Sequence, residues 1–142
     1  MDGTVELTIP GTSWAIGSNL VRAAYVGSGS TGPASSVGSS VAISKAVSSI
    51  SWSLPSKVKS TSKAVMTVKV RAAGVPAPAG SVHVYDGSKR ILTFTLSTAR
   101  KGTRTLNLPR ITTKGSHRIK AVYAGSSTVL GRSTTYRSLR VY

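Results

Sequence analysis

Three residues in the second half of the chain carry side chains that could perform acid–base chemistry: His83, Asp86 and His117. Catalysis by a hydroxyl nucleophile requires a histidine base that is oriented by a carboxylate, and the chain is rich in serine. Alternation places His83 outward, and Asp86 precedes Gly87 as in a hairpin turn, where aspartate serves the backbone. No nucleophile elbow, phosphate-binding loop or zinc-ligand spacing accompanies these residues. The sequence therefore predicts no catalytic residues and no enzyme.

The chain also has few residues that could bind a metal ion or carry out redox chemistry. The chain contains no cysteine, which excludes disulfides and thiolate metal sites. Calcium prefers clusters of oxygen ligands, and Asp86 alone does not supply one. We therefore expect no metal site and no cofactor.

The strongest chemical signal comes from basic residues. The chain has 19 Lys and Arg against 3 Asp and Glu, a net charge of +16. Residues 1–56 are neutral overall, whereas residues 57–142 hold 17 basic residues and only Asp86. Such a field attracts polyanions, for example teichoic acids, acidic glycans, anionic lipid headgroups or nucleic acid. The residues that we predict to bind a polyanion project from strands or lie in hairpins: Lys69, Arg71, Lys89, Arg90, Arg100, Lys101, Arg118, Lys120 and Arg140.

The alternative to polyanion binding is that these basic residues form a solvated surface without a ligand. An excess of 17 basic residues over one acidic residue is larger than solubility requires, which favours a binding role. Base-specific recognition of nucleic acid is disfavoured, because few exposed aromatic residues are available for stacking: Tyr85, Tyr136 and Tyr142. We expect an anionic surface polymer or glycan as the partner, nucleic acid only non-specifically, and no small-molecule substrate.

Strands must position these basic residues, and the strands are found in a sequence that is partly repeated. Two segments of the first half of the chain return in the second half. The segment GTVELTIP at 3–10 returns as GTRTLNLP at 102–109, and RAAYVGS at 22–28 returns as KAVYAGS at 120–126. The offset of 99 and then 98 residues is the size of one sandwich domain.

This repeat divides the chain into two predicted domains. We interpret residues 1–45 as a partial repeat that holds only the last three strands, and residues 46–142 as a complete basic domain. The strands predicted in the partial repeat are Thr4–Ile9, Asn19–Val26 and Val41–Ser44. Because the chain opens in mid-repeat without a signal-peptide pattern, we expect it to be a fragment of a longer protein.

Short β-branched runs separated by Gly, Pro and Ser predict an all-β fold for the complete domain. No segment has a helical period, and no window is apolar enough for a transmembrane helix. The alternation predicts a seven-stranded antiparallel β-sandwich, with strands at 46–55, 64–72, 81–85, 91–96, 100–108, 115–124 and 134–142.

Two stretches, PAGSVHVYDG at 78–87 and GSHRIKAVYAG at 115–125, resemble the tandem bacterial Ig-like repeats of secreted and cell-surface proteins. In that family a Pro-x-Gly-x-Val stretch leads into a strand ending in Asp-Gly, and a later Gly-x-His strand ends in Ala-x-Tyr-x-Gly-Asp. Ser126 and Ser28 stand where the family usually has that last Asp. The resemblance implies an Ig-like sandwich, a structural role for His117, and spacer, stalk or adhesive functions without catalytic residues.

Charge and resemblance together favour a non-enzymatic Ig-like module of a bacterial extracellular or surface protein. It would act as a spacer or tether beside neighbouring Ig-like repeats, held to anionic cell-wall polymers by many weak, salt-sensitive contacts. One alternative is a phage virion or tail-associated Ig-like domain that contacts a host surface polymer. A second alternative is a non-specific nucleic-acid-binding module.

Overall fold

The computed structural model describes residues 3–142, whose regular secondary structure is almost entirely β strand. Met1 and Asp2, the first residues of the predicted partial repeat, lie outside the described residues. The chain divides into two compact units, Met1–Ser44 and Lys45–Tyr142. Within the described residues, no helix is long and apolar enough to cross a membrane.

The first unit contains one short 3₁₀ helix and four strands. The helix is Gly11–Ser13, and the strands are β1 (Gly17–Val21), β2 (Ala24–Tyr25), β3 (Ala34–Ser35) and β4 (Ser39–Ile43). Strand β1 pairs with β4, and β2 pairs with β3, both antiparallel.

The prediction of a strand at Thr4–Ile9 is wrong, since the first strand of the described residues begins at Gly17. The segment does alternate, but Val5 is 92% and Leu7 79% exposed. A strand needs a neighbour for its backbone hydrogen bonds and for its apolar face. No strand within residues 3–44 pairs with this segment.

The second unit contains nine strands and one 3₁₀ helix. The strands are β5 (Ser48–Ser53), β6 (Lys57–Val58), β7 (Val65–Ala72), β8 (Gly80–Asp86), β9 (Lys89–Leu96), β10 (Thr103–Asn107), β11 (Gly115–Tyr123), β12 (Arg132–Ser133) and β13 (Arg137–Val141), and the helix is Thr98–Arg100.

These strands form two sheets that enclose one core. The smaller sheet has the order β10-β7-β5, and the larger has the order β6-β13-β11-β8-β9 with β12 paired to β11. The chain changes sheets at Pro55, between β5 and β6. This residue cannot donate to the β5 ladder, and β6 then pairs parallel to β13.

Inward side chains of both sheets make up the core, as the alternation predicted. Fully buried residues come from β7 (Met66, Val68 and Val70), β8 (Val82 and Val84), β11 (Ile119, Ala121 and Tyr123) and β13 (Leu139). The predicted all-β sandwich is therefore confirmed.

The seven predicted strands correspond to β5, β7, β8, β9, β10, β11 and β13. The strands β6 and β12 were not predicted, because each has only two residues and exists only through its partner strand. Residues 98–100 form a 3₁₀ turn, so β10 begins three residues after the predicted start at Arg100.

The two units share one ladder geometry. Gly17 pairs with Ile43, and Gly115, 98 residues later, pairs with Val141 in the same register. Likewise, the pairing of β2 with β3 repeats the pairing of β11 with β12. The first unit thus reproduces the hairpin of the second, in which β11 pairs with both β12 and β13.

Candidate anion-binding site

The alternation of β11 brings two predicted basic residues to the outer face of the larger sheet. Ile119 is fully buried, so its neighbours Arg118 and Lys120 project away from the core. The Arg118 guanidinium lies 4.5 Å, and the Lys120 ammonium 4.9 Å, from the centroid of the Tyr136 ring. Lys120 is also 5.5 Å from the centroid of Tyr85. These rings orient both cations by cation–π attraction.

Neighbouring strands extend this cationic surface in both directions. Arg140 of β13 lies between Ser116 of β11 and Lys57 of β6 in the ladders. Arg90 of β9 lies opposite Tyr85, which in turn lies opposite Lys120. Adjacent strands are about 4.8 Å apart, so Arg140 lies one strand spacing from β11, and Lys57 and Arg90 lie two strand spacings from it. We call this surface the outer cationic face; it consists of Lys57, Arg90, Arg118, Lys120 and Arg140.

A second group of predicted residues lies on the smaller sheet. Val68 and Val70 of β7 are fully buried, so Lys69 and Arg71 project outward. Both line a cleft of about 420 Å³ together with Lys101, which precedes β10. We call this cleft, defined by Lys69, Arg71 and Lys101, the basic cleft.

The remaining two predicted residues join neither group. Lys89 lies opposite Asp86 at the end of the β8–β9 hairpin, and Arg100 ends the 3₁₀ helix Thr98–Arg100. The structure therefore divides the nine predicted residues into three in the basic cleft, four on the outer cationic face and these two elsewhere.

Two further arginines contact the sandwich itself. Arg104 points inward, and its Nη1 donates a hydrogen bond of 2.7 Å to the backbone carbonyl of Thr95, with its guanidinium 5.4 Å from the centroid of Phe94. The guanidinium of Arg137 lies 5.3 Å from the ring centroid of Trp52. These contacts stabilise the fold, so we do not assign either residue to the anion-binding surface.

His117, which the sequence predicted at the start of a strand, and Asp86, which it predicted in a hairpin turn, form an ion pair. His117 Nδ1 lies 2.5 Å from Asp86 Oδ2, and its Nε2 lies 2.9 Å from the backbone carbonyl oxygen of Thr113. Burial lowers the pKa of His117, but the hydrogen bonds to Asp86 and Thr113 and the charge of Asp86 together raise that pKa above its usual value. Both ring nitrogens face acceptors, so the protonated imidazolium satisfies both contacts.

This pair has the composition of a catalytic dyad without its geometry. In a dyad, the imidazole nitrogen remote from the carboxylate takes a proton from the nucleophile. In this protein that nitrogen, Nε2, is hydrogen-bonded to the backbone carbonyl oxygen of Thr113. The pair instead ties the start of β11 to the end of β8. Within residues 3–142, no cluster of three or more His, Cys, Asp or Glu residues is placed to hold a metal ion.

Sequence reasoning missed Lys57 as a part of the outer cationic face and missed the His117–Asp86 pair. Alternation gives the side of a strand to which a residue points, but not its partner on the next strand. Lys57 lies on β6, whose parallel pairing with β13 has no sequence signal. For His117, the only available hint was that Asp86 is the single acid of residues 57–142.

Comparison with known proteins is consistent with this architecture. Residues 51–142 match the family model described as bacterial Ig-like domain, group 3. No curated protein matches the chain.

Proposed function

Because the chain belongs to the bacterial Ig-like domain family, we propose that it is a tether or spacer of a bacterial extracellular or surface protein that binds anionic cell-wall polymers. Domains of this family are generally non-enzymatic and commonly extracellular. The proposed binding is electrostatic: many weak contacts between Lys or Arg side chains and the negative groups of the polymer.

The observation that carries this proposal is the lack of compensation for the positive charge of residues 57–142. Their one acidic side chain, Asp86, is paired with His117. No other ion pair occurs in the part of the chain that the structure describes. The outer cationic face and the basic cleft therefore present their charge to solvent, where it can attract a polyanion.

We also propose that residues 3–45 are the C-terminal strands of a preceding Ig-like repeat and that residues 46–142 are a complete repeat. The shared registers of the two ladders support this organisation. Shared hydrogen bonds support it as well: Ser18 and Ser40 are joined through their hydroxyls at 2.6 Å, as Ser116 and Ser138 are at 2.7 Å.

Sedimentation with purified Gram-positive cell walls tests the proposed binding. At low ionic strength the protein is expected to sediment with the walls, and at about 1 M NaCl, where the Debye length is about 3 Å, it is expected to remain in solution. A charge-reduced variant, in which the five residues of the outer cationic face are replaced by Gln, is expected to sediment less at low salt.

Other outcomes would point to the alternative functions. Retention by walls that have been stripped of their anionic polymers would contradict the proposal. Binding to a single-stranded oligonucleotide but not to walls would favour the nucleic-acid module. Failure to bind either polymer at low salt would leave a spacer without an electrostatic ligand.

A further inference from the structure

The basic cleft differs from the outer cationic face in shape. The outer cationic face belongs to one side of a sheet, whereas the cleft is walled by the loop between β7 and β8. Val75, Pro76 and Pro78 of this loop line the cleft together with the three cations, and Pro78 is buried. A volume of about 420 Å³ lies within the range of small-molecule sites.

The position of Lys101 in this cleft is fixed by the backbone. Lys101 has φ 45° and ψ 44°, and it is the only residue other than glycine with a positive φ in the described part of the chain. The next residue, Gly102, accepts a hydrogen bond of 2.8 Å from the amide of Val70, and a Cβ at Gly102 would collide with the Val70 carbonyl oxygen. This close approach to β7 holds Lys101 among the residues that line the cleft, although lysine disfavours the left-handed conformation.

The three cations of the cleft lack protein partners. Across residues 3–142, the side chains of Lys69, Arg71 and Lys101 make neither an ion pair nor a hydrogen bond. Three positive charges that line one concave site repel one another, and a bound anion would relieve this repulsion. The donors available are two ammonium groups and one guanidinium, which suit the oxygens of a phosphoryl group.

We infer that the basic cleft binds one phosphodiester unit of a polyol-phosphate polymer. This inference rests on the proposed function, because it names the polymer class and the place on the module where its repeating unit is held. The three cations would bind the phosphoryl oxygens, and the aliphatic wall of Val75, Pro76 and Pro78 would contact the polyol carbons. No aromatic side chain lines the cleft, so it offers no stacking platform for a nucleobase.

Two triple variants of the full-length protein test this site at equal net charge. The cleft variant is Lys69→Gln, Arg71→Gln and Lys101→Asn, in which asparagine tolerates the left-handed backbone. The matched control is Lys57→Gln, Arg118→Gln and Arg140→Gln on the outer cationic face. Amide chemical shifts are followed by NMR during titration with sn-glycerol 1-phosphate, and separately with poly(glycerol phosphate).

We expect glycerol phosphate to shift the amides of Lys69, Arg71, Val75 and residues 101–103. The cleft variant should bind this probe about tenfold more weakly than the wild type, since charge-assisted hydrogen bonds are lost, and the control should bind it unchanged. Equal weakening in both variants, or shifts spread over the outer cationic face, would overturn the cleft assignment but leave the polymer-binding function standing. Absence of wall binding by the wild type would instead overturn the proposed function.

The variant Lys101→Gly distinguishes a loss of binding from a loss of folding stability. Glycine relieves the strained φ, so the variant should melt at a higher temperature than the wild type and still bind glycerol phosphate more weakly. Unchanged affinity would overturn a role for Lys101. Stronger shifts with a single-stranded oligonucleotide than with poly(glycerol phosphate) would overturn the polyol assignment.

Discussion

The two units of this chain form the same local structure and bury it to very different extents. Tyr25 and Tyr123 lie at the same position of their ladders, since Tyr25 pairs with Ala34 as Tyr123 pairs with Arg132. Yet Tyr25 is 48% exposed, and Tyr123 is 1% exposed. Local pairing is therefore independent of burial in these strands.

The difference lies in the strands that cover this hairpin. In the second unit, the hydroxyl of Tyr123 donates a 2.6 Å hydrogen bond to the carbonyl of Ala79, and β7 and β8 supply much of the core. Residues 3–44 contain no strands equivalent to β7 and β8. In their place is an apolar cleft of about 450 Å³, lined by residues that include Leu7, Trp14 and Val41.

The backbone details of the turns are nevertheless preserved. Gly27 has φ 90° and Gly125 has φ 87°, and each is followed by a serine amide that donates to a carbonyl three residues on, at 2.8 Å in the first unit and 2.9 Å in the second. These left-handed glycines fix the end of the strand in both units. The lesson is that the hairpin is specified locally, whereas its stability depends on the covering strands.

The largest expected effect comes from supplying those strands to the first unit. Gly3 is the counterpart of Gly102 in the repeat. A second copy of residues 46–101 is therefore placed directly before Gly3, so that the copied Lys101 precedes Gly3 as Lys101 precedes Gly102 in the second unit. Amides of residues 17–43 should then exchange slowly with solvent, with a local stability of about 5 kcal/mol or more, as in a small domain. Hydrogen exchange measured by mass spectrometry reports this change.

The matched control carries Met66→Asp, Val68→Asp and Val70→Asp in the added copy only. It has the same length but cannot form the core, so residues 17–43 should exchange as fast as in the natural chain. Equal protection with both extensions would contradict the idea that covering strands stabilise the hairpin.

The next effect compares the two tyrosines. Tyr123→Ala removes a fully buried ring and should lower the free energy of unfolding of the second unit by about 3–5 kcal/mol. Tyr25→Ala removes a half-exposed ring and should change stability by less than about 0.5 kcal/mol. Urea denaturation followed by circular dichroism measures both, and comparable losses would show that the first unit is buried to a similar extent in solution.

A smaller effect concerns His117 and its counterpart Asn19. Asn19 Nδ2 donates to the carbonyl of Ala15 at 2.8 Å, as His117 Nε2 does to that of Thr113 at 2.9 Å. The substitution His117→Asn therefore keeps the carbonyl contact and loses only Asp86. It should lower the free energy of unfolding by about 1–2 kcal/mol at about pH 5.5.

The pH dependence follows from the raised pKa of His117. The stabilisation is complete below the unfolded pKa of about 6.5 and is lost as the pH rises through the higher folded value. Wild-type stability should therefore fall as the pH rises above about 6.5, and this fall should be reduced in both His117→Asn and Asp86→Asn. A slope that persists undiminished in both variants would show that another group controls it.

The smallest effect concerns the serine pairs. The Ser116–Ser138 and Ser18–Ser40 bonds are exposed, so Ser116→Ala and Ser18→Ala should each cost less than about 0.5 kcal/mol. Thermal denaturation measures the first, and hydrogen exchange of residues 17–43 measures the second. A loss above about 1 kcal/mol in either unit would show that these bonds contribute more than exposed bonds usually do.

Much of the fold could be predicted from the sequence. Alternation identified the buried faces of β7, β8 and β11, because the residues of a strand point alternately to opposite sides. It failed at Thr4–Ile9, where the pattern is present but no partner strand is. It also failed at Arg100, because the left-handed turn at Lys101 and Gly102 delays the start of β10.

For the candidate site, the sequence predicted which basic residues take part but not how they are grouped in space. The nine predicted residues are all basic, but the sequence did not show that Lys69, Arg71 and Lys101 line one cleft. Lys101 reaches β7 through a contact between its neighbour Gly102 and Val70, which are far apart in the chain. Such contacts depend on strand order and register, which alternation does not specify.

By itself, the sequence determined the all-β fold, the repeat of about 98 residues and the concentration of positive charge after residue 56. These are local or compositional properties, which each segment carries independently of its neighbours. Only the tertiary structure decided which cations share a cleft, that Arg104 contacts Phe94 and Thr95, and that His117 pairs with Asp86. These properties arise when strands pair in a particular register and two sheets pack face to face. Both bring together residues that are distant in the chain.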